Sequence, residues 1–143
     1  MPMPQQSLVT ALVALQFVAF GWRLNREITV GDDLRRTWLP LPDCLNLLGL
    51  LAVVLFCVVM PMTGGAHPRL AYTTLSVGYT LIAFHPFGEA AHYRLFSKAG
   101  RSVYLNHLNG TSGDYPWITD QEVISVILSV ILASVVGCYT WHA

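Results

Sequence analysis

The residues best suited to chemistry lie in one stretch, FHPFGEAAHYRLF, at positions 84–96. This stretch places His85, Glu89 and His92 close together along any helix that contains it. Imidazole and carboxylate groups at such spacing can exchange protons, or they can bind a cation. The three residues are therefore candidates for a proton or ion path.

A polar stripe extends upstream from these residues. At about 100° per residue, its members fall within about 60° of one another on a helix; they are Thr74, Gly78, His85, Glu89 and His92. Such a stripe in a membrane usually faces other helices or water, and Gln16 of an earlier apolar segment can join it. The pattern predicts either a polar path or hydrogen bonds between helices. The second interpretation is favoured, because most polar residues of membrane helices serve packing.

A metal or haem site has less support. Glu89 and His92 form one Glu-x-x-His sequence, whereas a di-iron helical site uses two of them and two further carboxylates. A zinc site needs three or four ligands, which His85, Glu89 and His92 would supply only if Pro86 let them converge. The sequence has no GxSxG or HExxH motif and no glycine-rich phosphate loop. We therefore predict no cofactor and favour a non-enzymatic role over an enzymatic one.

The elements that must position these residues are transmembrane helices. Of the 143 residues, 54% are hydrophobic and 11% are charged, against about 25% charged in soluble domains. A helix that crosses about 30 Å of hydrocarbon needs about 20 residues. We predict an all-α, four-helix antiparallel membrane bundle that forms one domain, residues 1–143, with spans at about 5–22, 44–62, 70–93 and 121–141.

Local sequence sets the expected helix ends. Thr119 and Glu122 predict a capping box at the start of the fourth span, and Asp43 is expected to cap the second. Pro86 lacks an amide hydrogen and crowds the preceding turn. We expect the third helix to kink there and to continue to about Tyr93. The alternative is a helix that stops at Phe84, followed by a second helix along the membrane surface.

The basic residues predict the orientation. Most of them fall in the two predicted loops, 23–43 and 94–120, whereas Arg69 is the one in the loop between the second and third spans. The positive-inside rule places both basic loops in the cytoplasm. Both termini then face the exterior, and the expected location is a bacterial inner (plasma) membrane.

Small residues predict how the helices pack. The fourth span repeats a small residue at every fourth position, which permits close backbone contact in lipid; these residues are Ser125, Ser129, Ala133 and Gly137. A looser set occupies the first span, at Ser7, Ala11, Ala14 and Gly21. These faces can pack within one chain, which is the favoured use, or they can join copies of it.

Three functions remain open. The small-residue faces favour an interaction or accessory subunit, with the lipid bilayer, a homo-oligomer or larger membrane subunits as partners. The polar stripe favours an oligomeric conductor of protons, ions or small solutes. A membrane redox or metal-binding enzyme subunit would use His85, Glu89 and His92. The net charge of zero gives no reason to expect nucleic acid as a partner.

Overall fold

Four long helices occupy the part of the chain that the computed structural model describes, residues 2–34, 39–99, 102 and 118–143. We name them α1, Gln6–Leu34; α2, Leu41–Met62; α3, Pro68–His92; and α4, Asp120–His142. The described residues contain no strand. The protein is therefore all-helical over these ranges.

Three helices are long and apolar enough to cross a membrane: Gln6–Arg26 within α1, Leu41–Met62 and Asp120–His142. These helices indicate an integral membrane protein. The remaining helix, α3, has 25 residues, which is about 37 Å of helix, but it is less apolar than the others. Helix α3 is long enough to cross a membrane, but its polar residues lower its hydropathy below that of the three candidate spans.

Helix α1 corrects one predicted boundary. It continues to Leu34, so the prediction of a loop beginning at residue 23 is wrong for residues 23–34. Charged side chains mark where a chain leaves lipid, but they do not end a helix, since Arg and Glu are good helix formers. Most of the predicted loop at 94–120 lies outside the described residues, as do Arg35, Arg36 and Arg101.

Two predicted helix starts have different outcomes. The capping box of α4 is confirmed: the Glu122 amide donates to the Thr119 hydroxyl, and the Thr119 amide donates to the Glu122 carboxylate. The predicted cap of α2 is wrong. Pro40 occupies the N-cap position without a capping side chain, and Asp43 points into the protein, where Arg23 and His85 contact it.

Helix α3 runs without interruption through Pro86 to His92. The alternative in which the helix stops at Phe84 is therefore wrong. The missing amide of Pro86 removes one intrahelical hydrogen bond, and α3 continues past it because its residues on both sides are packed against other helices. Helix α2 has its own irregularity, a π-helical turn at Leu55–Val59 between α-helical segments Leu41–Val54 and Met60–Met62.

Helix α3 is the element against which the other three pack. Its buried face includes Ala71, Leu75, Gly78, Leu81, His85 and Gly88. Glycine is needed twice on this face. A Cβ atom at Gly78 would lie 2.8 Å from Leu12 Cδ2, and one at Gly88 would lie 2.6 Å from Pro42 Cγ. The two glycines let α1 and α2 approach α3 closely.

An apolar core fills the half of the protein away from Arg23. It consists of Val9, Leu12, Val53 and Leu75 from α1, α2 and α3. Helix α4 packs on α3 through small residues, since Ser129, Ala133 and Gly137 are buried and Ser125 is half-buried. The opposite face of α4 exposes large apolar side chains, as a lipid-facing surface does; they include Ile124, Ile127, Leu128 and Ile131.

Candidate functional site

The candidate site is a buried group of ionisable side chains contributed by three helices. Arg23 comes from α1, Asp43 from the first turn of α2, and His85 and Glu89 from α3. We call these four residues the ionic cluster. They meet because α1 and α3 run toward the same end of the protein at which α2 begins.

Arg23 joins the two carboxylates of the ionic cluster. Its Nε lies 2.7 Å from Glu89 Oε2 and 3.2 Å from Asp43 Oδ2. On the other side of the carboxylates, His85 Nε2 lies 2.8 Å from Asp43 Oδ1 and 3.8 Å from Glu89 Oε1. Each carboxylate therefore presents one oxygen to the guanidinium group and the other to the imidazole ring.

Tyr93 connects the ionic cluster to the adjoining turn of α1. Its hydroxyl accepts hydrogen bonds from Nη1 of both Arg23 and Arg26. The Arg26 guanidinium carbon also lies 4.1 Å from the centre of the Tyr93 ring, a cation–π geometry. Tyr93 follows directly after α3, so these contacts fasten the end of α3 to α1.

Burial makes the ionic cluster costly unless its charges are compensated. Arg23 and Asp43 are 0% and 1% exposed, and Glu89 is 13% exposed. Ionised groups away from water need counter-charges or coordination, which is why they mark functional candidates inside membranes. With a neutral His85, the formal charges of the four side chains sum to −1. The ionic cluster can therefore accept one additional positive charge without becoming strongly cationic.

A second ionisable pair lies beside the ionic cluster, between α3 and α4. His92 Nδ1 is 2.9 Å from Glu122 Oε2, while Glu122 Oε1 accepts a 2.7 Å hydrogen bond from the amide of Leu41. The Thr119 hydroxyl donates to the carbonyl of Ala91 at 2.9 Å. Glu122 thus joins the ends of α2, α3 and α4, and all its observed contacts are structural.

Polar contact continues one step further toward the middle of the protein. The Gln16 side-chain amide donates to Asn46 Oδ1 at 3.2 Å, and both residues are buried. Beyond this pair come Leu12 and Val53, each 0% exposed. The buried charged side chains and the Gln16–Asn46 pair therefore lie in one half of the described part of the protein, and the apolar core fills the other half.

A small cavity of about 10 Å³ lies next to His85. Its polar wall consists of Asn46, His85 and Ser129, and its remaining wall is apolar. This volume corresponds to about one water molecule. The space beside the imidazole ring accommodates a small polar species and nothing larger.

The structure brings together some of the predicted site residues and separates others. His85 and Glu89 share the ionic cluster, but His92 does not join them, because Glu122 holds it. Gln16 pairs with Asn46, and Thr74 is half-buried on α3. Of the candidate ligands His85, Glu89 and His92, the structure brings the first two together and pairs the third with Glu122.

Sequence reasoning missed Arg23 and Asp43 as site residues. Both flank apolar segments, a position that predicts a loop or a helix cap. The usable signal is topological: in an antiparallel arrangement, the end of the apolar part of α1, the start of α2 and the end of α3 meet at one end of the protein. An acid and a base at such boundaries are natural partners for Glu89.

Comparisons with protein-family profiles, with curated protein sequences and with solved structures give no match to this chain. Its class follows from the features described above. Three apolar helices of sufficient length indicate a helical membrane protein, and ionisable side chains are buried between its helices.

Proposed function

We propose that the chain is a four-span membrane bundle in which the ionic cluster binds a cation that enters from one membrane surface. The observation that carries this proposal is the convergence of Asp43, Glu89 and His85 around a region with a formal charge of −1. Helix α3 is the fourth span in this proposal. Its polar residues face its neighbours, which shield them from lipid.

The position of the apolar core favours binding over conduction. A conductor needs a polar route through the whole bundle, whereas the apolar layer of Leu12 and Val53 follows the Gln16–Asn46 pair in the described part of the protein. The proposed site therefore exchanges its cation with one side only.

Cation-dependent stability tests the proposed function. Purified protein in lipid nanodiscs is heated in the chloride salts of Na⁺, K⁺, Mg²⁺, Mn²⁺ and Zn²⁺. A cation that binds only the folded state stabilises it by about 2.7 kcal/mol at 100 times its Kd, so the unfolding temperature rises with its concentration. We expect this rise in the wild type and its loss in Asp43→Asn.

Asp120→Asn is the matched control, since Asp120 is an exposed acid in the first turn of α4. It should respond to the cation as the wild type does. Equal responses of wild type and Asp43→Asn would show that any cation effect arises outside the ionic cluster, and would contradict the proposal.

The positive-inside rule supports an orientation in which the ionic cluster lies on the cytoplasmic side of a bacterial inner membrane, with both termini outside. A reporter enzyme fused after Ala143 tests this orientation. Periplasmic reporter activity is expected, and cytoplasmic activity would reverse the orientation.

A second candidate function is assembly with another membrane helix. The small residues of α1 are exposed along the helix, namely Ser7, Ala11, Ala14 and Gly21, and a Cβ atom at Gly21 would meet nothing within 4 Å. Small exposed residues permit close approach of a second copy or a larger subunit.

Ala14→Trp should then reduce the amount of oligomer seen by sedimentation in detergent, whereas Ser134→Trp, at an exposed position of α4, should not. A monomeric wild type would contradict self-assembly.

A further inference from the structure

Three potential ligand atoms converge inside the ionic cluster. Asp43, His85 and Glu89 each offer one ligand atom, and these three atoms all lie within 4.8 Å of one another. A divalent transition metal binds oxygen and nitrogen ligands at about 2.0–2.2 Å, so two ligand atoms of one ion are at most about 4.4 Å apart. The Asp43–His85 and His85–Glu89 distances, 2.8 and 3.8 Å, satisfy this limit.

Arg23 fixes the direction in which the carboxylates point. It contacts Asp43 Oδ2 and Glu89 Oε2, which leaves Oδ1 and Oε1 turned toward His85. Groups that hydrogen-bond to metal-binding carboxylates orient them and tune affinity in this way. Arg23 therefore acts as a positioning residue.

Glu89 gives independent evidence that the ionic cluster can take a positively charged ligand. Its Oε1 atom is buried and has no hydrogen-bond partner among the described residues. A buried carboxylate oxygen without a donor is costly. The cost disappears when a cation sits between Oε1 and the neighbouring Oδ1 and Nε2 atoms.

The donor set indicates the kind of cation. Two carboxylates and one imidazole suit Mn²⁺, Fe²⁺, Co²⁺ or Zn²⁺, whereas Mg²⁺ and Ca²⁺ prefer oxygen ligands alone. Cu⁺ prefers sulfur, and the three cysteines lie outside the ionic cluster. A divalent ion changes the formal charge of the four side chains from −1 to +1, so the added charge is half compensated.

We propose that Asp43, His85 and Glu89 bind one divalent first-row transition-metal ion, with Arg23 as a positioning residue. This inference rests on the proposed function, because it names the cation of the same site. Neutral His85 binds through Nε2 in the tautomer that carries its proton on Nδ1. The three protein ligands leave at least one coordination position open for water or a substrate.

Cobalt titration of the full-length protein in nanodiscs tests the proposal. In the wild type, the visible d–d absorption should increase until one Co²⁺ is bound per chain. Added Zn²⁺ should displace the Co²⁺ and remove the absorption. His85→Gln should remove this absorption, and Glu89→Gln provides a second variant if His85→Gln does not fold. His67→Gln and His142→Gln are controls, since both histidines are exposed.

Arg23→Lys separates positioning from ligation. It keeps the positive charge but loses the guanidinium geometry, so affinity for Co²⁺ should fall by about 10- to 100-fold with an unchanged stoichiometry. Retention of wild-type affinity would remove Arg23 from the proposal.

Three outcomes overturn the metal site in distinguishable ways. If Na⁺ or K⁺ raises the unfolding temperature and Co²⁺ gives no absorption, the ionic cluster binds a monovalent cation and only the metal assignment fails. If no cation changes stability or absorption in the wild type, the proposed function fails with it. Binding that persists in both His85→Gln and Glu89→Gln places the metal elsewhere.

Discussion

Arg23 is the single side chain on which the ionic cluster most depends. It is the one member of the ionic cluster with a permanent positive charge, and it contacts both carboxylates. Replacing a buried ion pair with apolar residues can be neutral, but removing one partner leaves the other uncompensated. Loss of Arg23 alone should therefore destabilise the protein more than replacement of the whole ionic cluster by apolar residues.

Arg23→Met should lower the free energy of unfolding by about 3–5 kcal/mol, because Asp43 and Glu89 would remain buried without their counter-charge. Reversible unfolding in mixed micelles measures this change. Arg69→Met is the control: Arg69 is exposed at the other end of the protein, and a surface substitution usually changes stability by no more than about 0.5 kcal/mol. Similar losses in both variants would show that the buried contacts of Arg23 contribute nothing.

At this scale the sequence predicted part of the site. His85 and Glu89 could be chosen because they interrupt an apolar helix, where polar residues are rare. Arg23 and Asp43 could not be chosen on the same ground, since charged residues at the ends of apolar segments are ordinary. Their burial depends on how far α1 continues as a helix and how closely α2 approaches α3, and neither property is visible in local composition.

Close approach between elements depends on the glycines of α3. A Cβ atom at Gly78 would lie 2.8 Å from Leu12 Cδ2 and 3.0 Å from Val53 Cγ2, two side chains of the apolar core. Neither side chain has free space, because both are fully buried. A methyl group added at position 78 would therefore push α1 and α2 away from α3.

Gly78→Ala should destabilise the protein by about 1–3 kcal/mol through overpacking. Gly21→Ala is the matched control on α1, where the added methyl group meets nothing within 4 Å. It should be neutral or stabilising by about 0.5–1 kcal/mol, because alanine favours a helix over glycine. Equal effects in the same unfolding assay would contradict close packing at Gly78.

Helix α4 gives a second prediction for element packing. Ser129 is buried against α3, and Ser134 is exposed on the same helix. Ser129→Leu should reduce the yield of folded monomer measured by size-exclusion chromatography, since the larger side chain must displace α3. Ser134→Leu should have little effect, and a normal yield from Ser129→Leu would place that face in lipid.

The sequence predicted where helices occur, but it did not always predict where they end. Hydropathy identified the apolar parts of α1, α2 and α4, and it ended α1 at Trp22 because charges follow. The helix itself continues to Leu34, since backbone hydrogen bonding does not require an apolar face. Thr119 and Glu122 marked the start of α4 correctly, because a capping box reports the backbone directly.

The whole molecule is divided into a polar half and an apolar half. The ionic cluster, the His92–Glu122 pair and the Gln16–Asn46 pair lie in one half. The apolar core fills the other half. This division could not be read from the polar stripe of α3, because Leu12 and Val53 come from other helices and cover the Gly78 position.

Liposomes that contain the wild-type protein should therefore pass no cation faster than empty liposomes. The physical reason is the dry layer formed by Leu12, Val53 and Leu75, in which an ion would lose its water without gaining ligands. Fluorescent indicators for protons, potassium and Mn²⁺ inside the liposomes provide the measurement. Flux above the empty-liposome rate that disappears in Asp43→Asn would show a continuous path and contradict one-sided binding.

The burial of Arg23 also has a consequence for synthesis of the chain. During translation, α1 emerges before Asp43 and long before Glu89, so its arginine enters the membrane region without either partner. Arg23 lies in the last turn of the apolar part of α1, Gln6–Arg26, so its long side chain can reach the membrane interface while it has no partner. The Arg23 side chain should therefore stay at the interface at first, and the ionic cluster should form only after the end of α3 has been synthesised.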